Sequence, residues 1–107
     1  MFKLDLKDKV ILITGGSDGL GFASAKLLSK EGAKIIICGR RGDYLKEKAN
    51  IIREETGNEV LDIVCDVTSS DECKSLVEKT ISNFKSIDVL VNNAGTSAAA
   101  GFEEVSD

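Results

Sequence analysis

Residues 10–21 read Val-Ile-Leu-Ile-Thr-Gly-Gly-Ser-Asp-Gly-Leu-Gly, and this stretch carries the clearest chemistry in the chain. A run of β-branched and aliphatic residues breaks into a glycine-rich turn, after which an apolar pattern of helical period begins. Such a turn can hold a phosphate. Gly15 can take a positive φ, Gly19 lets backbone N–H groups come close to a pyrophosphate, and Gly21 lets the helix pack tightly on the strand. The helix that starts here aims its first N–H groups at the anion. The spacing is G-x-x-x-G-x-G rather than G-x-G-x-x-G, and the Gly-Lys-Ser/Thr ending of a P-loop is missing, which argues against an NTPase. Taken alone, the same glycines would also serve a plain strand-to-helix turn.

Other chemistry-bearing types are sparse. Cys38, Cys65 and Cys73 form an odd set without C-x-x-C spacing, and the chain has no histidine, so a zinc site is not expected. Cys38 and Cys65 each close an apolar run and read as small buried hydrophobes. No catalytic role and no metal ligand is assigned.

The elements that must position these residues follow from periodicity. An apolar strand is expected over 9–14, buried on both faces. A helix over 19–30 places Leu20, Ala23, Leu27 and Leu28 on one face, expected to pack on the sheet, and Glu31-Gly32 ends it. An Ile-rich strand covers 33–38. An amphipathic helix over 43–55 buries Leu45, Ala49 and Ile52, and Thr56-Gly57-Asn58 turns the chain into a third strand over 60–65. Ser69-x-x-Glu72 is a capping box that opens a helix with Cys73, Leu76, Val77, Ile81 and Phe84 on its buried stripe, and residues 87–91 form a fourth strand. Strands alternating with helices imply right-handed parallel crossovers, hence an α/β sheet in the order 3-2-1-4. The glycine loop then falls at the switch point between strands 1 and 4, where open α/β sheets bind ligands.

Composition bounds the partners. The 107 residues are 42% hydrophobic and 30% charged with a net charge of −4, which fits a single globular domain over 1–107 with a real core. The interspersed acidic balance argues against nucleic acid or an anionic membrane surface as a partner. No apolar run is long enough to span a bilayer, and residues 1–5 lack the features of a signal peptide, so a cytoplasmic protein is expected.

Three motifs, each following its own strand, now combine. The chain resembles the short-chain dehydrogenase/reductase family over its whole length. Thr14-Gly15-Gly16-Ser17-Asp18-Gly19-Leu20-Gly21 is similar to the family's T-G-x-x-x-G-x-G, Asp66-Val67 to its Asp-Val after strand 3, and Asn92-Asn93-Ala94-Gly95 to its N-N-A-G after strand 4. The resemblance implies a Rossmann-type doubly wound sheet, with Thr14 and the backbone from Gly15 through Asp18 and Gly19 to Leu20, together with the Ser17 hydroxyl and the close-packing Gly21, around the pyrophosphate and ribose. It implies that Asp66 and Val67 contact adenine and that Asn93, Ala94 and Gly95 line the cofactor cleft, with Asn93 also tying strand 4 to its neighbours. Family members run well past this length to a seven-stranded sheet, and their catalytic Asn, Ser, Tyr and Lys lie beyond N-N-A-G. The chain therefore reads as an amino-terminal cofactor-binding part, with the apolar edge of strand 4 inviting self-association into a homo-oligomer. Tyr44-x-x-x-Lys48 matches the family's Y-x-x-x-K by spacing only and is rejected, because it falls on the surface helix after strand 2.

The cofactor follows from the end of strand 2. An NAD site carries an acid there for the ribose 2′-hydroxyl. Here the chain reads Cys38-Gly39-Arg40-Arg41, and a guanidinium suits a 2′-phosphate. The expected cofactor is NADP(H), with NAD(H) as the second choice and Asp18 and Asp43 opposing the preference. The expected function is hydride exchange with a small-molecule carbonyl or alcohol substrate. A non-catalytic nucleotide-binding or assembly module is the alternative.

Overall fold

The computed structural model describes residues 5–15 and 18–93. Of the expected site, Ser17, Ala94 and Gly95 lie outside these described residues, as does the stretch 96–107 read as a loop leading into a helix.

Four strands alternate with three helices: β1 (Val10–Thr14), α1 (Gly19–Lys30), β2 (Lys34–Gly39), α2 (Gly42–Thr56), β3 (Val60–Val64), α3 (Ser70–Phe84) and β4 (Val89–Asn92). The strands are parallel in the order β3-β2-β1-β4, as the alternation of elements predicts. Because successive side chains on a strand point to opposite faces, the isoleucine-rich runs divide between two cores. Ile11, Ile13, Ile35 and Ile37 meet Ala25 of α1 and Leu45, Ala49 and Ile52 of α2 on one face. Val10, Leu12, Ile36, Cys38 and Ile63 meet Cys73 and Leu76 of α3 on the other. Helices on both faces explain why β1 and β2 are apolar without alternation.

Two helix faces differ from expectation. The sheet-facing residues of α1 are Gly21, Ala25 and Ser29, while Leu20 and Leu27 are 75% and 62% exposed and Ala23 is exposed as well. The smallest side chains, not the most apolar, set the contact, since only they let the helix approach the sheet this closely. Leu28 and Phe22 pack at its flank. In α3, Cys73, Leu76 and Thr80 are buried and Ile81 is 46% exposed. Thr80 can replace it because its hydroxyl donates to the Leu76 carbonyl at 2.9 Å, leaving no bare polar atom.

The ends of α1 and α2 are clasped together at the amino-terminal edge of the sheet. The Ser29 hydroxyl lies 2.9 Å from Thr56 Oγ1, which donates to the Ile52 carbonyl, and Asn58 Nδ2 donates to the Ser29 carbonyl at 2.7 Å. A Lys26–Glu55 ion pair at 2.9 Å runs alongside. Gly57 closes α2 at φ 70°, whereas the residue in the equivalent left-handed position after α3 is Lys85, at φ 74°. At the sheet edge β4 pairs with β1, and Val89 and Leu90 are 42% and 43% exposed.

Candidate nucleotide site

The carboxyl ends of all four strands converge on a cavity of about 420 Å³. It sits where the winding reverses, with β2 and β3 on one side of β1 and β4 on the other. Gly15 and Asp18 line it from the β1–α1 turn, Gly39 and Arg40 from the end of β2, residues 65–68 from the end of β3 and Asn93 from the end of β4.

The turn after β1 is held by its own backbone. Gly15 takes φ 67°, as the motif predicts, and donates its N–H to the Cys38 carbonyl at 3.0 Å. Its carbonyl accepts from Asp18 N–H at 3.2 Å and from Asn93 Nδ2 at 3.4 Å. Gly21 packs against this arrangement: a Cβ there would lie 2.2 Å from the Gly15 oxygen and 2.7 Å from Asn93 Nδ2. Gly19 is different, because a Cβ there meets nothing within 4 Å among the described residues. Asp18 is the N-cap of α1 with extended backbone and makes no side-chain capping bond.

Thr14 is fully buried below the turn. Its Oγ1 accepts from Asn93 N–H at 2.9 Å and lies 3.4 Å and 3.2 Å, as donor, from the Val91 carbonyl and Asn92 Oδ1. Thr14 and Asn93 thus lock the ends of β1 and β4 in register, the tying role expected of Asn93.

After β3 the chain forms an Asx turn. Asp66 Oδ1 accepts from Thr68 N–H at 3.0 Å and from the Thr68 hydroxyl at 2.7 Å. These two bonds, hydroxyl first, hold the exposed Asp66 carboxyl below the usual carboxylate range, and Arg40 adds a weaker pull. The capping box is present but redirected. Ser69 Oγ accepts from Glu72 N–H at 3.3 Å, while the Glu72 carboxylate reaches past Ser69 to accept from Asp66 N–H at 2.9 Å.

The structure brings Gly15, Asp18, Arg40, Asp66, Val67 and Asn93 to one cavity and leaves Thr14, Gly19, Leu20, Gly21 and Arg41 off its lining. Arg41 is the N-cap of α2, with its guanidinium 4.9 Å from the Tyr44 ring. Lys48 lies 5.1 Å from the same ring and 4.7 Å from that of Phe22, so Tyr44 and Lys48 make a surface cation–π cluster, in keeping with their rejection as a catalytic pair. Gly39, Cys65 and Thr68, to which the sequence assigns no part in binding, also line the cavity. Asp-x-Thr spacing, an Asx-turn signal, could have found Thr68.

Comparison with known proteins agrees with this geometry. A profile of the family described as short chain dehydrogenase matches residues 9–107. The chain is 36% identical over 107 residues to 11-beta-hydroxysteroid dehydrogenase A of Sesamum indicum, covering all of this chain and 31% of that protein. L-sorbose reductase from Gluconobacter frateurii, solved with NADPH and L-sorbose, superposes with a TM-score of 0.82 at 41% identity over 87% of this chain and 36% of its own. An NAD+-bound xylitol dehydrogenase superposes at 0.81 with 34% identity, over 87% of this chain and 35% of its own. The sheet order, the switch-point cavity and these matches define a Rossmann-type nucleotide-binding α/β protein. The chain belongs to the short-chain dehydrogenase family, and it spans about a third of the length of the relatives named here.

The cavity fits a dinucleotide on its own features. It is bounded by a positive-φ glycine turn leading into a helix without a side-chain cap, by a guanidinium and by a preset carboxylate, the donor and acceptor set that phosphate, ribose and an adenine amine require.

Proposed function

We propose that this chain is the cofactor-binding part of an oxidoreductase that exchanges hydride between NADP(H) and a carbonyl or alcohol substrate, with NADP(H) preferred over NAD(H). The observation that carries the preference is Arg40, which lines the cavity beside Gly39 at the end of β2, where an NAD site carries an acid. Its guanidinium offers a 2′-phosphate a charge-assisted partner. Asp18 lines the same cavity and works against the preference.

In this reading the Gly15 turn and the start of α1 hold the pyrophosphate, with Ser17 and Leu20 beside it. Asp66 accepts from the adenine amine with Val67 alongside, and Asn93, Ala94 and Gly95 form the wall toward the nicotinamide. The bound cofactor supplies or receives the hydride. Tyr44, the one tyrosine of the chain, is held in the cation–π cluster on α2 and is not the proton donor. The whole protein is read as cytoplasmic and homo-oligomeric.

Titration of the chain with NADPH and NADH tests the reading. NADPH should bind more tightly, and Arg40→Asp should weaken it by about 1.5 to 3 kcal/mol, the scale of hydrogen bonds to charged groups, while changing NADH far less. Equal affinities before mutation would sink the preference.

A further inference from the structure

One wall of the cavity carries chemistry that nucleotide binding does not use. Cys38 near the end of β2, Cys65 just past β3 and Cys73 in the first turn of α3 are free thiols, 0%, 1% and 0% exposed. The β2–β3 register pairs Cys38 with Ile63 and Gly39 with Val64, so Cys65, whose N–H donates to the Gly39 carbonyl at 2.8 Å, continues on the same face as Cys38. Cys73 comes up from α3 beneath them, its Sγ donating to the Val67 carbonyl at 3.4 Å. All three cysteines belong to the same buried cluster on this face of the sheet. Cys65 alone of the three lines the cavity.

We propose that Cys65 is an oxidation site reached through the nucleotide cavity, so that peroxide and dinucleotide exclude one another. The exclusion rests on reading that cavity as the nucleotide site. In the oxidation step the Cys65 thiolate attacks one peroxide oxygen: an S–O bond forms, the O–O bond breaks and hydroxide leaves. The sulfur loses two electrons and the peroxide gains them, leaving a sulfenic acid. Condensation with the Cys38 or Cys73 thiol would form an S–S bond, break S–O and release water carrying the thiol proton.

The surroundings favour Cys65 over its neighbours. The Cys38 thiol beside it, more than any other group, holds Cys65 below the ordinary thiol range, with Cys73 adding a smaller pull, against the opposing effects of burial and of the Glu72 and Asp66 carboxylates. Burial, together with Cys65, pushes Cys73 up to about 11. Cys38 is raised as well, by its bond to Cys65 and by burial. The thiolate is the reactive form.

The test exposes the chain to hydrogen peroxide and counts the remaining thiol at each cysteine after unfolding, by alkylation and peptide mass. That count registers sulfenic acid and disulfide alike. Cys65 should be consumed, saturating NADPH should slow its loss, and oxidation should weaken NADPH binding about tenfold or more, as expected when a cavity wall gains a polar oxygen or is pulled inward. In Cys65→Ser, measured beside Cys65→Ala, Cys38 and Cys73 should outlast Cys65 of the parent, since neither lines the cavity, and peroxide should leave NADPH affinity where it stood. Survival of Cys65 in the parent, or loss of Cys38 or Cys73 at the parent rate in both variants, overturns the site. Unchanged oxidation of Cys65 under NADPH shown to be bound overturns the exclusion. If neither NADPH nor NADH binds, the nucleotide reading fails, while the order of thiol loss without nucleotide still decides the oxidation site.

Discussion

Helices α1 and α3 both start at the carboxyl edge of the sheet, and they treat their free N–H groups in opposite ways. At α3, Ser69 accepts from Glu72 N–H, Glu72 turns back to Asp66 N–H, and Asp71 and Glu72 complement the dipole in the first turn. At α1 the N-cap Asp18 makes no side-chain capping bond and the first turn holds no acid. A helix end carries several unmatched donors and a partial positive charge that something must satisfy. The α3 end satisfies them from its own sequence. The α1 end, beside the cavity, leaves them open, an arrangement that suits an anion.

The contrast can be broken most severely at Gly21. Gly21→Val should cost about 3 kcal/mol of stability, the upper range for overpacking, because its Cβ would overlap the Gly15 carbonyl and Asn93 Nδ2. A urea midpoint close to the parent's would show that α1 need not sit so near the turn. Gly19→Val tests the other side of the same turn. With no described residue within 4 Å of that Cβ, stability should stay within about 1 kcal/mol, the helix-propensity scale, while calorimetry should find nucleotide binding lost; retained binding counts against the phosphate assignment.

A smaller effect is expected at the self-satisfied end. Ser69→Ala should lower stability by about 1 kcal/mol, the usual worth of an N-cap, and leave nucleotide affinity unchanged, because Ser69 serves α3 rather than the cavity. An affinity that fell with stability would mean that the two helix starts are coupled. The mildest change lies at the far end of α3, where Lys85 occupies a left-handed position that Gly57 fills after α2. Lys85→Gly should raise the thermal midpoint, gaining roughly 0.5 kcal/mol as Cβ strain is relieved against added chain entropy. A lowered midpoint would show that the lysine side chain contributes more than the strain it bears.

Much of this was legible in the chain because it depends on local rules. Isoleucine-rich strands, Gly32 and Gly57 as helix stops, and Ser69 as a cap each follow from conformational preferences of single residues, and the sheet order follows from right-handed crossovers. What escaped depends on distance between elements. The leucines of α1 outrank Gly21, Ala25 and Ser29 in hydropathy, yet closeness to the sheet selects the small residues. The same holds for Thr80 against Ile81, where an internal hydrogen bond makes a hydroxyl acceptable in the core. At the site, the glycine turn, Asp66 and Asn93 announce themselves by motif, but Cys65 and Gly39 reach the cavity only because β2 and β3 end together there. The Arg41 guanidinium's place beside the Tyr44 ring likewise depends on how α2 begins.

The clasp of Ser29, Thr56 and Asn58 makes the two ends of the sheet unequal in how the chain opens. It joins α1 to α2 by side-chain bonds far from the cavity, while Arg53 fastens α2 to β3 through the Val60 carbonyl and Asp62. Local unfolding events follow such differences in bonding density. Amide hydrogens of β2 and of the last turn of α2 should therefore exchange with solvent more slowly than those at the start of α1 when hydrogen exchange is followed.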